Sequence, residues 1–262
     1  MSRSTPITCL FVSLVLAFAV SMVAASGLST NPPPLKYEEP TNLTATIYAL
    51  DSNRKEPLFT FTRRATRAGD RLNVLREYRY PDGKIAARET AVYQGATLIS
   101  WDLEELQNHA HGGATPHPAP AGAKLNLEYD KNLDDKTTPK KRSEDLKQNT
   151  LVCDMVGPFL LDHWDALMRG EEVKCRYVVL PRVETVGFTF EKLTGDKRER
   201  KGVVIIKMSA TSPIIAALVD PLYFTIERDG QHRVLEYEGR TTPKLKAGNK
   251  WKDLDAVTVF HW

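Results

Sequence analysis

Three groups of residues in this 262-residue chain have the types and spacing that could do chemistry. His109, His111 and His117 sit within nine positions, and imidazoles so placed could converge on a transition metal. Zinc sites, however, hold their ligands on rigid elements and add a thiolate or carboxylate at defined spacing. The stretch 108–122 (NHAHGGATPHPAPAG) reads instead as a solvated Gly/Pro-rich loop, so no metal is expected. His163 and Asp165 suggest an acid–base pair, but residues two apart on a helix point to different faces. Glu236 and Glu238 share one face of a strand near Asp220 and Glu227, and paired carboxylates can carry out glycosidic chemistry. The simpler expectation is a wet sheet face on which glutamates pair across strands with Arg228, Arg233 and Arg240.

No Gly-x-Ser-x-Gly elbow, phosphate-cradling Gly-rich loop or His-Glu-x-x-His helix occurs in the chain. No catalytic residue and no cofactor is therefore expected. Cys153 and Cys175 lack the spacing of a redox or zinc motif. A disulfide between them and a pair of separate buried thiols are both open on sequence grounds.

The start of the chain indicates a compartment. Arg3 precedes an apolar run from Leu10 to Ala25, followed by the small residues Ala24-Ala25-Ser26-Gly27. This is the layout of a secretory signal peptide over 1–26. The run of about 16 residues is at the short end for a membrane span, and no basic stop-transfer cluster follows it. A periplasmic or secreted protein is expected. Removing 1–26 takes away one cation and lowers the net charge from +3 to +2, which gives no reason to expect a nucleic-acid partner. Pro32, Pro33, Pro34 and Pro40 make 27–41 an extended tether. A single β-rich domain then occupies 42–262.

Strand signals dominate that domain. Leu43–Leu50, 57–62, Arg71–Tyr80, Ile85–Tyr93, 96–101 and 123–129 alternate apolar and polar or carry β-branched and aromatic residues. Pro81-Asp82-Gly83 and Asp229-Gly230 mark hairpins. Residues 130–148 hold eleven charged side chains in nineteen positions and read as a flexible connector. Further strands are expected at 173–179, 186–190, 203–208, 222–228, 232–239 and 256–262, about eleven or twelve in all.

Two helices interrupt them. Gly157-Pro158 opens the first, with Pro at its first position, and Gly170 closes it. Phe159, Leu160, Trp164, Leu167 and Met168 form its apolar face. Ser212-Pro213 opens the second, Ile214–Val219, which is apolar on every side and therefore expected to be buried. The fold class that follows is mainly β: a large curved antiparallel sheet, half-barrel or barrel, with two short helices plugging or capping its concave side.

The stretch His163-Trp164-Asp165-Ala166-Leu167 with Gly170, the strand Val173–Pro181, and Val219-Asp220-Pro221-Leu222 through Tyr237-Glu238-Gly239-Arg240 resemble exported bacterial proteins of the lipoprotein-localisation-factor type. The resemblance spans roughly 150–240 and implies helices held inside a curved antiparallel sheet and a lipid-carrier role. It carries over no functional residue. On this basis the expected function is non-catalytic binding of a lipid or other apolar small molecule. The cavity would be lined by Phe159, Trp164, Leu167, Ile214, Ile215 and Leu218. The alternatives are an envelope scaffold or assembly module that binds another protein and, behind it, a hydrolase.

Overall fold

The computed structural model describes residues 42–95, 97–120, 122–132 and 138–262. The expected signal peptide and tether lie outside the described residues, as does part of the charged connector. Eight strands come first: β1 (Asn42–Ala49), β2 (Phe59–Ala68), β3 (Arg71–Arg79), β4 (Ile85–Gln94), β5 (Thr97–Glu105), β6 (Ala110–Ala119), β7 (Gly122–Asp130) and β8 (Lys140–Asp145). After β9 (Thr150–Leu151), a 3-10 turn at Cys153–Met155 leads into α1 (Val156–Asp162) and α2 (Trp164–Met168). The rest comprises β10 (Val173–Val179), β11 (Glu184–Lys192), β12 (Val203–Ala210), α3 (Pro213–Ala216), β13 (Leu222–Glu227), β14 (Val234–Ala247) and β15 (Lys250–His261).

Among the described residues all fifteen strands form one sheet, in the order β8 to β1, then β15 to β9. Each neighbouring pair is antiparallel except β9–β10, which is parallel. Pairing of β1 with β15 joins the first and second halves of the chain, Thr44 opposite His261 through Ala49 opposite Ala256. The sheet is curved and not closed, with β8 and β9 as its edges. Side chains bridge the seam: Glu144 on β8 accepts hydrogen bonds from the Thr185 N–H (3.1 Å) and hydroxyl on β11. The Lys140 ammonium, also on β8, reaches the Pro181 carbonyl at 3.4 Å.

The core follows from period-two alternation. Phe59, Phe61 and Ala65 on β2, Ala87 and Ala91 on β4, and Phe188 and Phe190 on β11 are buried at alternate positions, whereas β12 is buried continuously from Val203 to Ile206. The plug of α1 and α2 contributes Phe159, Leu160 and Leu167, all fully buried. The Phe159 ring lies tilted against that of Phe190, their centres 5.7 Å apart.

Several expectations need correction. Residues 110–119 are a strand, not a loop. Pro116 and Pro118 are tolerated because β6 pairs with β5 only over 110–114, and beyond it has β7 alone as neighbour. Residues 140–145 of the supposed connector form edge strand β8. Its charged side chains suit an edge, and Lys141 pairs with Glu128 of β7 at 3.1 Å. The last hairpin is longer than 232–239 and 256–262 suggest, running to Ala247 and back from Lys250 with a register shift between Arg240 and Lys244. The first helix is two, broken at His163 (φ −108°, ψ 14°), and it begins at Val156, so Pro158 lies two residues inside rather than first. A proline is still tolerated there because N–H groups of the first turn have no intrahelical acceptor. The second helix, expected to be buried, is only four residues long and contains no buried residue. Ile214 is 75% and Leu218 68% exposed. One turn of helix on a connection at the sheet's end cannot turn every side chain inward. Ile215 alone packs against the main core.

Candidate functional site: a cavity with one charged wall

A cavity of about 520 Å³ lies within the curve of the sheet, lined from both halves of the chain and by the start of the plug. One wall is hydrocarbon, built by Val186 and Phe188 of β11, Met208 of β12, and Leu222 and Phe224 of β13. The facing half of the sheet places charges at positions where alternation calls for apolar side chains. Arg63 follows Phe59 and Phe61 on the inward parity of β2, Arg76 stands between Val74 and Tyr78 on β3, Glu89 between Ala87 and Ala91 on β4, and Glu105 after Trp101 and Leu103 on β5.

These charges are paired within the interior. The Arg63 guanidinium grips Asp154 through Nε–Oδ1 (2.7 Å) and Nη2–Oδ2 (3.2 Å), and the Tyr93 hydroxyl donates to the same carboxylate at 3.0 Å. Arg76 meets Glu89 at 2.9 Å and lies over the Phe61 ring, 5.2 Å from its centre. Glu89 also accepts from the Tyr78 hydroxyl (3.1 Å), the Thr242 hydroxyl (2.8 Å) and the Cys153 thiol. Lys244 and Glu105 close a third pair at 2.6 Å, to which the Tyr129 hydroxyl adds a hydrogen bond at 2.7 Å. Asp154 and Cys153 belong to the turn that opens the plug, so the first two clusters also fasten the plug to the wall.

Burial by itself would raise the Asp154 carboxyl. Hydrogen bonds and charge from Arg63, with Arg76 and Tyr93, outweigh it and hold the group below the usual carboxylate range. Burial pushes the Cys153 thiol well up, and Glu89 beside it adds to the rise. The Tyr93 phenol is raised by burial and by Asp154. Such a thiol stays protonated and donates to Glu89, which makes it a structural donor rather than a nucleophile.

Of the six residues expected to line a ligand site, Ile215 and Leu218 are on the cavity surface. Phe159 and Leu167 are fully buried between plug and sheet. Trp164 stacks on His232 at 4.1 Å, and His232 in turn faces the cavity. Ile214 points to solvent. Cys153 and Cys175 are both free thiols. His111 and His117 are on β6, while His109 precedes it with a left-handed backbone (φ 55°). The C-terminal glutamates are ion-paired on the wet face, with partners other than those expected. Glu236 pairs with Arg54 (2.9 Å) and Arg200 (2.7 Å), and Glu238 with Arg198 (2.5 Å). Arg233 does pair, with Glu227, whereas Arg228 donates to the Val203 carbonyl. The charged interior wall escaped sequence reasoning. Its signal is a charge on the apolar parity of an alternating strand, repeated on neighbouring strands.

No family model matches the chain, and no curated protein matches it. Among solved structures, it is similar to a beta-barrel-like protein of domain of unknown function DUF1849 from Brucella abortus, at a TM-score of 0.38 and 8% identity. That match covers 84% of this chain and 94% of the other.

Proposed function

We propose that this protein is an exported, non-catalytic binder of a lipid or another apolar small molecule, which it holds inside the curved sheet. The observation that supports this reading is the cavity of about 520 Å³ with a hydrocarbon wall. Small-molecule sites are mostly apolar concavities of roughly 300–1,000 Å³ with a few placed polar groups. Cys153, on the cavity surface, is engaged as a hydrogen-bond donor to Glu89. Export rests on the charged, apolar and small-residue order of 1–27.

The test is uptake of N-phenyl-1-naphthylamine, whose fluorescence rises in apolar surroundings, together with native mass spectrometry of the purified protein. Saturable uptake that is lost in Met208→Trp, which fills the cavity, supports the reading. No uptake, or uptake that Met208→Trp leaves unchanged, refutes it. A second reading, an envelope module that binds another protein, draws on the exposed Ile214 and Leu218 side chains. Capture of a single envelope protein that is abolished by Ile214→Ser/Leu218→Ser would support it.

A further inference from the structure

The two walls of the cavity differ in charge: β2, β3 and β5 bring Arg63, Arg76 and Glu105 to it among Phe61, Trp101 and Leu103, whereas β11 to β13 bring Val186, Phe188, Met208, Leu222 and Phe224. The polar wall is broad. Arg63, Arg76 and Glu105 lie on β2, β3 and β5. Three strand spacings separate the outer two, roughly 14 Å at ~4.8 Å each. A single headgroup engages one point of such a wall, not its breadth. The wall is also charge-matched. Arg63 has Asp154 at 2.7 Å, Arg76 has Glu89 at 2.9 Å and Lys244 has Glu105 at 2.6 Å. Asp154 and Glu105 themselves line the cavity.

An anionic head entering this space would lose its hydration, find every cation of the wall already holding a carboxylate, and stand beside two carboxylates. A neutral hydroxyl meets the opposite situation. A carboxylate offers about four acceptor sites; Asp154 accepts from Arg63 twice and from Tyr93, and Glu105 from Lys244, Tyr129 and Asn108, so each keeps about one site for a hydroxyl donor. The Thr242 hydroxyl, also on the cavity surface, donates to Glu89 and keeps its oxygen as an acceptor for a ligand hydroxyl.

Building on the ligand-binding reading above, we infer that the ligand is a neutral, facially amphipathic molecule. Hydroxyl groups spread along one face meet the Arg63–Arg76–Glu105–Lys244 wall, and its bare face rests on Phe188, Met208 and Phe224. A linear chain with an anionic end does not match this division.

Displacement of N-phenyl-1-naphthylamine from the whole protein tests the inference with three competitors. Methyl cholate carries three hydroxyls on one face, methyl cholanate is the same skeleton without them, and palmitate is a linear anion. Methyl cholate is expected to displace the probe at concentrations at least tenfold below either of the others. Thr242→Val and Lys244→Met, each measured separately against its own probe titration, should bring that ratio towards one. Equal or better displacement by palmitate or methyl cholanate overturns the inference while the cavity reading stands. So does a preference that survives both substitutions. Absence of probe uptake overturns the cavity reading and this inference with it.

Discussion

Arg63 and Asp154 face each other through two parallel hydrogen bonds, 2.7 and 3.2 Å long, with both side chains almost wholly buried. The pair ties strand β2 to the turn from which the plug descends. Removing one partner leaves a buried charge without its counterion, which costs about 3–5 kcal/mol, whereas replacing both by apolar groups of similar volume is often neutral. Asp154→Ala is therefore expected to lower unfolding stability by ~3–5 kcal/mol in urea titration. Arg63→Met/Asp154→Leu should lose much less than the sum of the two single changes. Additive losses would show that the two residues act independently.

The same carboxylate makes stability depend on acid. Its folded pKa lies below its unfolded value near 4, because Arg63, Arg76 and Tyr93 outweigh burial. The unfolded state then binds the proton more tightly, so this contribution is complete above about pH 5 and declines as pH falls through 4 towards the lower folded value. Urea midpoints measured from pH 7 to pH 3 should hold level and then drop. In Asp154→Asn this group's part of the drop disappears, leaving a shallower curve that starts lower. An unchanged slope would assign the acid sensitivity to other carboxylates.

Much of the sheet was legible because alternation and turn chemistry act locally. Phe59-x-Phe61 and Val186-x-Phe188-x-Phe190 declare a buried face, and Asp229-Gly230 declares a hairpin before any tertiary contact is considered. The elements that were not legible owe their conformation to neighbours. Residues 110–119 read as a loop from His, Gly and Pro, yet β5 and β7 supply pairing that composition does not disclose. The charged strand β8 likewise exists because β7 offers a free edge. The Arg63–Asp154 pair joins residues 91 positions apart, and only the curvature of the sheet brings β2 to the turn of the plug, whereas Arg76 and Glu89 stand directly opposite each other on the β3–β4 hairpin. The apolar composition of Ile214–Val219 pointed inward, but four helical residues on a connection have too little surface to enforce it.

Thiol chemistry provides an independent readout of the interior. Burial raises the Cys153 thiol well above its ordinary value and pushes Cys175 up to about 12, so neither supplies thiolate near neutral pH. With Cys9 replaced by Ser, the folded protein at pH 8 is expected to react with Ellman's reagent far more slowly than a free thiol does. Both equivalents should appear promptly in denaturant without a reductant, because the two cysteines are not bridged. Fast release from the folded protein, or no release on unfolding, would contradict the burial or the free state respectively.

The connection carrying α3 separates apolar character from burial. Ile214 and Leu218 are 75% and 68% exposed, whereas Phe190 is fully buried between β11 and the plug, near Phe159 and Phe224. The hydrophobic contribution to stability scales with the area withdrawn from water, not with residue type. Ile214→Ser and Leu218→Ser give up little area and should each shift unfolding stability by no more than ~0.5 kcal/mol. Phe190→Ala removes a ring from a filled interior and should cost about 3–5 kcal/mol. Urea unfolding of the three variants under one set of conditions checks the contrast. A loss of several kcal/mol at position 214 would mean that this segment packs inward in solution, closing the cavity at that end. The hydrocarbon wall of Phe188, Met208 and Phe224 would then be reached only by movement of the segment between β12 and β13.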